Sequence, residues 1–279
     1  MVKEHNKIAI FLPSLTIGGA EKQAFYYAKT IQRLNLGEVI IIGMGKEGAL
    51  TDILKKNGIN YKSINTSKLI SNSKWIKLLG VFKLYRDLNK EKIKIAISFT
   101  YWPNVYVGLI YRVLRIKRFY WNQRSIDNLL PISYFERIAI KNKPYYLANS
   151  FACKDFIEDR HSISNPERKT KIIRNYIEER SYLKRKNNGF RMVKVANFFD
   201  EKDYHTVLKA TKELTLKYPE DRIELLIVGE SPGTSPGKDR IKALAFDLEL
   251  HSVVRFLAHD INVFELLSSC DLGILSSRS

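Results

Sequence analysis

Gly18 and Gly19 are the residues whose type and placement most plainly allow chemistry. They follow a short apolar run, residues 8–12 (IAIFL), and Pro13. They precede Ala20, Ala24, Tyr27, Ala28 and Ile31 at helical spacing. The run reads as a strand buried on both faces of a parallel sheet. Pro13 ends it, since proline cannot donate to the ladder. A strand, a glycine turn and a helix start leave backbone N–H groups pointing outward, an arrangement that binds anions and phosphates above all. A Cβ at either glycine would hold such a ligand off and forbid positive φ. A plain tight turn between strand and helix accounts for the same two glycines equally well. Cys153 and Cys270 match no metal or redox spacing. Both read as inert core residues in a reducing compartment.

The elements that would position such a turn alternate along the whole chain. Strands are expected at residues 38–43, 59–64, 95–99, 119–122, 145–148 and 171–175. Residues 50–57 read as a short helix, and Ser150 as the cap of another over 152–158. Residues 100–104 read as a loop before an apolar, basic helix that runs to about Leu114. Over residues 74–90, Trp75, Leu78, Leu79, Phe82, Tyr85 and Leu88 recur at three- and four-residue steps among lysines and arginines. That stripe is expected to cover the sheet, with the charges outward. Residues 178–189 are polar and end in Asn-Asn-Gly, a linker signature. A second series follows, with strands at 192–197, 223–228, 253–256 and 272–276 and helices at 205–217, 239–248 and 263–268. Two doubly wound α/β domains are expected, residues 1–177 and 191–279 joined by 178–190, with ligands in the cleft between them.

Composition bounds the partners. The 279 residues carry a net charge of +18. Residues 1–180 hold 32 Lys+Arg against 15 Asp+Glu, and residues 51–124 alone hold 16 against 3. A one-sided basic surface implies an acidic partner: anionic lipid, nucleic acid or a phosphorylated substrate. The start MVKEHNK lacks the apolar core of a signal peptide. No apolar run approaches the roughly 20 residues of a membrane span. The chain reads as cytoplasmic, touching a membrane without crossing it. A nucleic-acid binder is disfavoured because no recognition motif is present. A dinucleotide oxidoreductase is disfavoured because the Gly18-Gly19 turn lacks G-x-G-x-x-G.

Several motifs, in order, resemble the GT-B retaining glycosyltransferases of family 4, of the kind that builds bacterial capsule, lipopolysaccharide or wall glycan. Gly18-Gly19-Ala20-Glu21 resembles the family's N-terminal turn, and residues 172–175 the segment before its linker. Val195-Ala196-Asn197 with Glu201-Lys202-Asp203 resembles the start of its second domain. Residues 226–230 (LIVGE), 254–257 (VRFL) and 266–277 (LLSSCDLGILSS) resemble its later runs. The resemblance implies an α/β fold of two Rossmann-like domains, the second incomplete. It also implies a hexosyl-type transferase. The donor would be a nucleotide-diphosphate sugar, transferred with retention to a glycan or lipid-linked acceptor in cell-surface polysaccharide synthesis.

The resemblance also assigns residues. Lys202 falls on the diphosphate-binding lysine, a point charge suited to stabilising the leaving group. Asn197 stands where the family often has arginine, so it donates hydrogen bonds without charge. Gly18 and Gly19 would add backbone N–H groups. Gly229, Glu230, Phe256 and Leu257 would lie at the nucleotide, with core or turn roles equally open to them. Arg124 is an acceptor-side candidate, and a surface ion pair explains it as well. His205 reads as solvated and His259-Asp260 as a turn. No Asp-x-Asp occurs, and the family pattern implies no metal and no cofactor. The pattern continues past Ser279 with Glu-Gly-x-Pro and a second Glu, so the catalytic residues would lie beyond this chain. The chain thus reads as a truncated, inactive form. A non-catalytic module that binds membranes or glycans is the alternative. An anionic inner-leaflet surface is the expected partner beside the nucleotide sugar and acceptor.

Overall fold

The computed structural model describes residues 6–71, 73–126, 131–163, 170–178, 189–231, 237–258 and 261–278. The chain divides into two compact units, residues 1–177 and 178–279. Most of the expected linker, and His259-Asp260, lie outside the described residues.

In the first unit β1 (Ile8–Leu12), β2 (Val39–Gly43), β3 (Asn60–Ser63), β4 (Ile95–Phe99), β5 (Arg118–Gln123), β6 (Tyr145–Ala148) and β7 (Lys171–Ile172) form one sheet. Its order is β3-β2-β1-β4-β5-β6-β7, parallel throughout. The order reverses between β1 and β4, the switch point at which open α/β sheets leave a crevice beyond their strand ends. Every residue of β1 is buried because both faces are covered. Ala9 and Phe11 join one core with Val105, Phe119 and Trp121. Ile8, Ile10 and Leu12 join another with Ala24, Ala28 and Ile31 of α1 (Gly19–Arg33). Burying each large side chain contributes about 1.5–3 kcal/mol, so the alternation along β1 ties both helical layers to one strand.

The second unit holds β8 (Phe190–Val195), β9 (Ile223–Val228), β10 (Val254–Leu257) and β11 (Leu272–Gly273). Their order is β10-β9-β8-β11, again all parallel. Met192, Leu225 and Ile227 face α7 (Tyr204–Lys217) through Val207 and Leu208. Val193, Leu226 and Val228 pack on Leu266 of α9 (Val263–Ser268). The remaining helices are α2 (Leu50–Lys56), α3 (Lys74–Asn89), α4 (Tyr101–Ile110), α5 (Tyr134–Lys141), α6 (Phe151–His161) and α8 (Gly237–Asp247).

Three expectations are corrected. Residues 101–104 begin α4 and are not a loop. Pro103 fits there because N–H groups of a first turn have no helical partner to lose. Helix α5 was not expected, although Ser133 and Glu136 form a capping box at its start. Finally, α3 buries Leu84 and Leu88, whereas Trp75, Leu78, Leu79 and Phe82 face outward. The helix is apolar on both sides, so periodicity alone could not say which side meets the sheet. Ser150 caps α6 as expected, accepting from Cys153 N at 3.1 Å. Cys153 is buried, while Cys270 is half-buried.

Candidate functional site

The turn after β1 is built differently from the sequence argument. Gly18 is extended, with φ −151° and ψ −176°, and Gly19 is the first residue of α1. Neither adopts positive φ. A Cβ on Gly19 would meet nothing within 4 Å, and one on Gly18 would lie 2.5 Å from Glu21 Oε2. The Glu21 carboxylate thus folds back over the turn, where burial raises its pKa against its own backbone N–H and the Arg124 charge. An anion bound to this turn has to displace Glu21 or meet it protonated.

Arg124 follows β5. Its guanidinium sits 5.1 Å above the Phe99 ring and donates to Asn175 Oδ1. Burial lowers its pKa, opposed by Tyr27, Cys153 and Glu21. The segment carrying Asn175 is clipped to α1. Gln23 Nε2 donates to Tyr176 O and Tyr176 N donates to Gln23 Oε1, both at 2.8 Å. Arg124 stands out in the sequence, whereas the clip between Gln23 and Tyr176 emerges only in the fold. Arg124 is a half-buried cation held by an amide and an aromatic face, with no carboxylate within 4.0 Å among the described residues.

A cavity of about 580 Å³ opens at the carboxyl ends of β1 to β3. Pro13, Met44, Lys46, Asn65, Trp102 and Tyr106 are among its walls. Trp102 lies flat on Tyr106, 15° from parallel with centroids 5.6 Å apart. No predicted site residue lines it. One sequence signal pointed there and was missed: Gly43-Met44-Gly45-Lys46-Glu47-Gly48 is a G-x-G-x-x-G after a strand. Its glycines serve packing. A Cβ on Gly45 would lie 2.6 Å from Pro13 O. Leu15 N donates to Lys46 O at 3.0 Å, joining the two loops.

In the second unit the ends of β8 and β9 bring predicted residues together. Glu230 N donates to Asn197 Oδ1 at 3.3 Å, and Phe198 N donates to Glu230 O at 2.9 Å. Gly229 lies against Ala196, where a Cβ would fall 1.8 Å from the carbonyl oxygen. Leu257 pairs with Val228 one strand over, while the Phe256 side chain packs into the core near Phe198. Lys202 ends a 3₁₀ turn over Asp200–Lys202. Asp203, at φ 42°, caps α7 by accepting from Thr206 N at 3.3 Å. Lys202 has no carboxylate within 4.0 Å among the described residues. Ser276 Oγ reaches the carbonyls of Lys202 and Asp203, and Arg278 Nη2 meets Asp203 Oδ1 at 3.2 Å. His205 is exposed. Among the described residues no group of three His, Cys, Asp or Glu could hold a metal ion.

Lys194 is a residue that no sequence motif marks. It interrupts an apolar strand, and its side chain is buried. Its ammonium donates to Ser276 Oγ at 2.8 Å and lies 4.9 Å from the Tyr204 ring. Burial lowers its pKa, opposed by Asp203 and reinforced by Lys202. A buried cation without a carboxylate costs desolvation that hydrogen bonds only partly offset. Lys194→Met is therefore expected to be neutral or to stabilise by up to about 2 kcal/mol, read as an unchanged or raised Tm. A loss of similar size would mean that the tie to Ser276 dominates.

Residues 175–279 match the profile of the family described as Glycosyl transferases group 1. That match covers the second unit and the three residues before it. No curated protein matches the chain. Among solved structures, a glycosyltransferase from Rickettsia africae ESF-5 is similar at 18% identity and TM-score 0.73, over 98% of this chain and 73% of that one. Anabaena Alr3699/HepE, solved in complex with UDP-glucose, is similar at 18% identity and TM-score 0.76, over 98% and 74%. WaaG, a glycosyltransferase involved in lipopolysaccharide biosynthesis, is similar at 14% identity and TM-score 0.67, over 98% and 75%. The chain thus has the α/β fold of parallel sheets found in these GT-B glycosyltransferases.

Proposed function

We propose that the chain is a GT-B glycosyltransferase of family 4. It uses a nucleotide-diphosphate sugar and retains anomeric configuration. Its hexosyl group goes to a glycan or lipid-linked acceptor in cell-surface polysaccharide synthesis, at the cytoplasmic face of an anionic membrane and without a metal. The observation that carries this reading is the group 1 match together with the joined ends of β8 and β9, which bring Asn197, Gly229 and Glu230 together. On this reading Lys202, which has no carboxylate within 4.0 Å among the described residues, supplies the cation for a diphosphate whose charge grows as it leaves. Leu257 contributes main chain at the next strand end. On this reading Arg124 and the Gly18-Gly19 turn serve the acceptor side and the phosphates.

Titration calorimetry with UDP, GDP and their sugars tests it. One of these is expected to bind, and Lys202→Ala to weaken binding about 10–100-fold, the worth of one charged hydrogen bond of about 1.5–3 kcal/mol. Binding of none of them overturns the reading. Binding with no sugar transferred to any acceptor and no nucleoside diphosphate released assigns the chain instead as a non-catalytic module.

A further inference from the structure

Among the described residues, the outward face of α3 has no partner. Leu84 and Leu88, each 1% exposed, hold the helix to the core. On the other side Trp75 is 78% exposed, Leu78 55%, Leu79 58% and Phe82 64%. Steps of three, four and seven place these four on one helical face. Soluble chains seldom leave a contiguous row of this size to water. Val113, 64% exposed just after α4, extends it. Leu78, Phe82, Tyr85, Ile110 and Val113 line a groove of about 640 Å³ between the two helices.

Charge identifies the occupant. Arg86 continues the apolar row one turn on, and its side chain is 63% exposed. Arg112, Arg115 and Arg118 are exposed around Val113, and Lys90 beyond the end of α3. Of the three acidic residues in 51–124, Glu91 is paired with Lys62 at 2.6 Å and Lys7 at 3.0 Å, and Asp87 lies 4.0 Å from Arg86. A second copy of this chain would bring the same positive field against itself, which like charges oppose. An anionic bilayer meets both halves of the surface. Tryptophan and arginine settle at the headgroup level, and leucine and phenylalanine pass below it. Basic side chains near the surface add attraction to acidic lipid.

We infer that α3 lies in the interface of an anionic membrane, with Trp75, Leu78, Leu79 and Phe82 inserted and the groove beside Val113 holding one acyl chain. The inference deepens the membrane part of the proposed function and rests on it, not on the sugar chemistry. The test is co-sedimentation with vesicles of phosphatidylcholine, alone or mixed with phosphatidylglycerol. The chain is expected on the mixed vesicles only, with binding reduced about tenfold when salt rises from about 0.1 to 0.5 M, as the Debye length shortens. Brominated lipid is expected to quench fluorescence in the wild type, and Trp75→Phe to lose most of that quenching. The double variant Leu78→Ser, Phe82→Ser changes exposed side chains, so its melting curve is expected to match the wild type while vesicle binding falls at least tenfold. Equal binding of variant and wild type overturns the inference. So does failure on phosphatidylglycerol, or a dimer in solution that the same variant breaks. Binding of UDP, GDP and their sugars is measured on the same samples. Absence of binding of all of them beside intact vesicle binding sinks the transferase reading and leaves the surface standing.

Discussion

Replacing Glu136 by alanine is expected to cost the first unit about 3–5 kcal/mol, the loss typical of a broken buried ion pair. Its carboxylate is fully buried. Arg160 donates to both its oxygens, at 2.7 and 2.9 Å, and Tyr101 OH donates at 2.8 Å. His161 Nε2 lies 3.0 Å from Oε1, and His161 Nδ1 lies 3.0 Å from Tyr146 OH. Burial pushes the Glu136 pKa up, but the bonds from His161, Arg160 and Tyr101 outweigh it and hold the pKa at about 2. Burial lowers the His161 pKa against Glu136, so the ring is neutral at neutral pH. It then donates through Nε2 to the carboxylate and accepts from Tyr146 at Nδ1. Removal of Glu136 takes the carboxylate from Arg160, His161 and Tyr101, and the capping box from α5.

The same cluster sets the acid limb of stability. Glu136 has a folded pKa of about 2 against 4.5 for the free group. Its contribution is therefore complete above about pH 4.5 and lost as pH falls toward 2. It amounts to about 3 kcal/mol at about 1.4 kcal/mol per unit. His161, also depressed, acts in the same direction, starting below its unfolded value of 6.5. Urea melts at pH 7, 5 and 3 are expected to show wild type and Glu136→Ala converging as pH falls. Parallel curves would show that the cluster carries no such linkage.

None of this cluster was anticipated, and the reason is physical. The buried strands announce themselves because an unbroken apolar run such as IAIFL can only be covered on both faces. The order of strands and helices follows from that. Glu136, Arg160 and His161 are ordinary surface residue types whose meeting depends on α5 packing beside α6, a fact without periodicity. Only the Ser133–Glu136 spacing was local enough to read. The opposite failure occurred at α3, where apolar residues on both sides left the burial choice to tertiary packing. At the candidate donor site the strand ends were legible through Gly229 and Glu230. Lys194 was not, because nothing local marks a lysine as buried. The Trp102 cavity needs four separate segments to exist.

The two glycine-marked turns are expected to answer substitution in opposite ways. At Gly229 a Cβ would stand 1.8 Å from Ala196 O and 2.8 Å from its carbonyl carbon. Both are backbone atoms of β8's end, which cannot swing aside as a side-chain tip can. Gly229→Val has to part β8 from β9 where Ala196 N donates to Val228 O at 2.9 Å. Overpacking of this kind costs about 3 kcal/mol or more, concentrated in a unit of four short strands. The displaced atoms are those that set Asn197 beside Glu230, so on the proposed reading nucleotide binding falls below detection even where the unit stays folded. Gly19→Ala meets open space at negative φ and is expected to change stability by less than about 0.5 kcal/mol. Thermal melts of both variants, and titrations with whichever of UDP, GDP and their sugars the wild type binds, decide the point. A Gly229→Val chain that melts and binds like the wild type would mean that the apposition of these strand ends is not what holds the site.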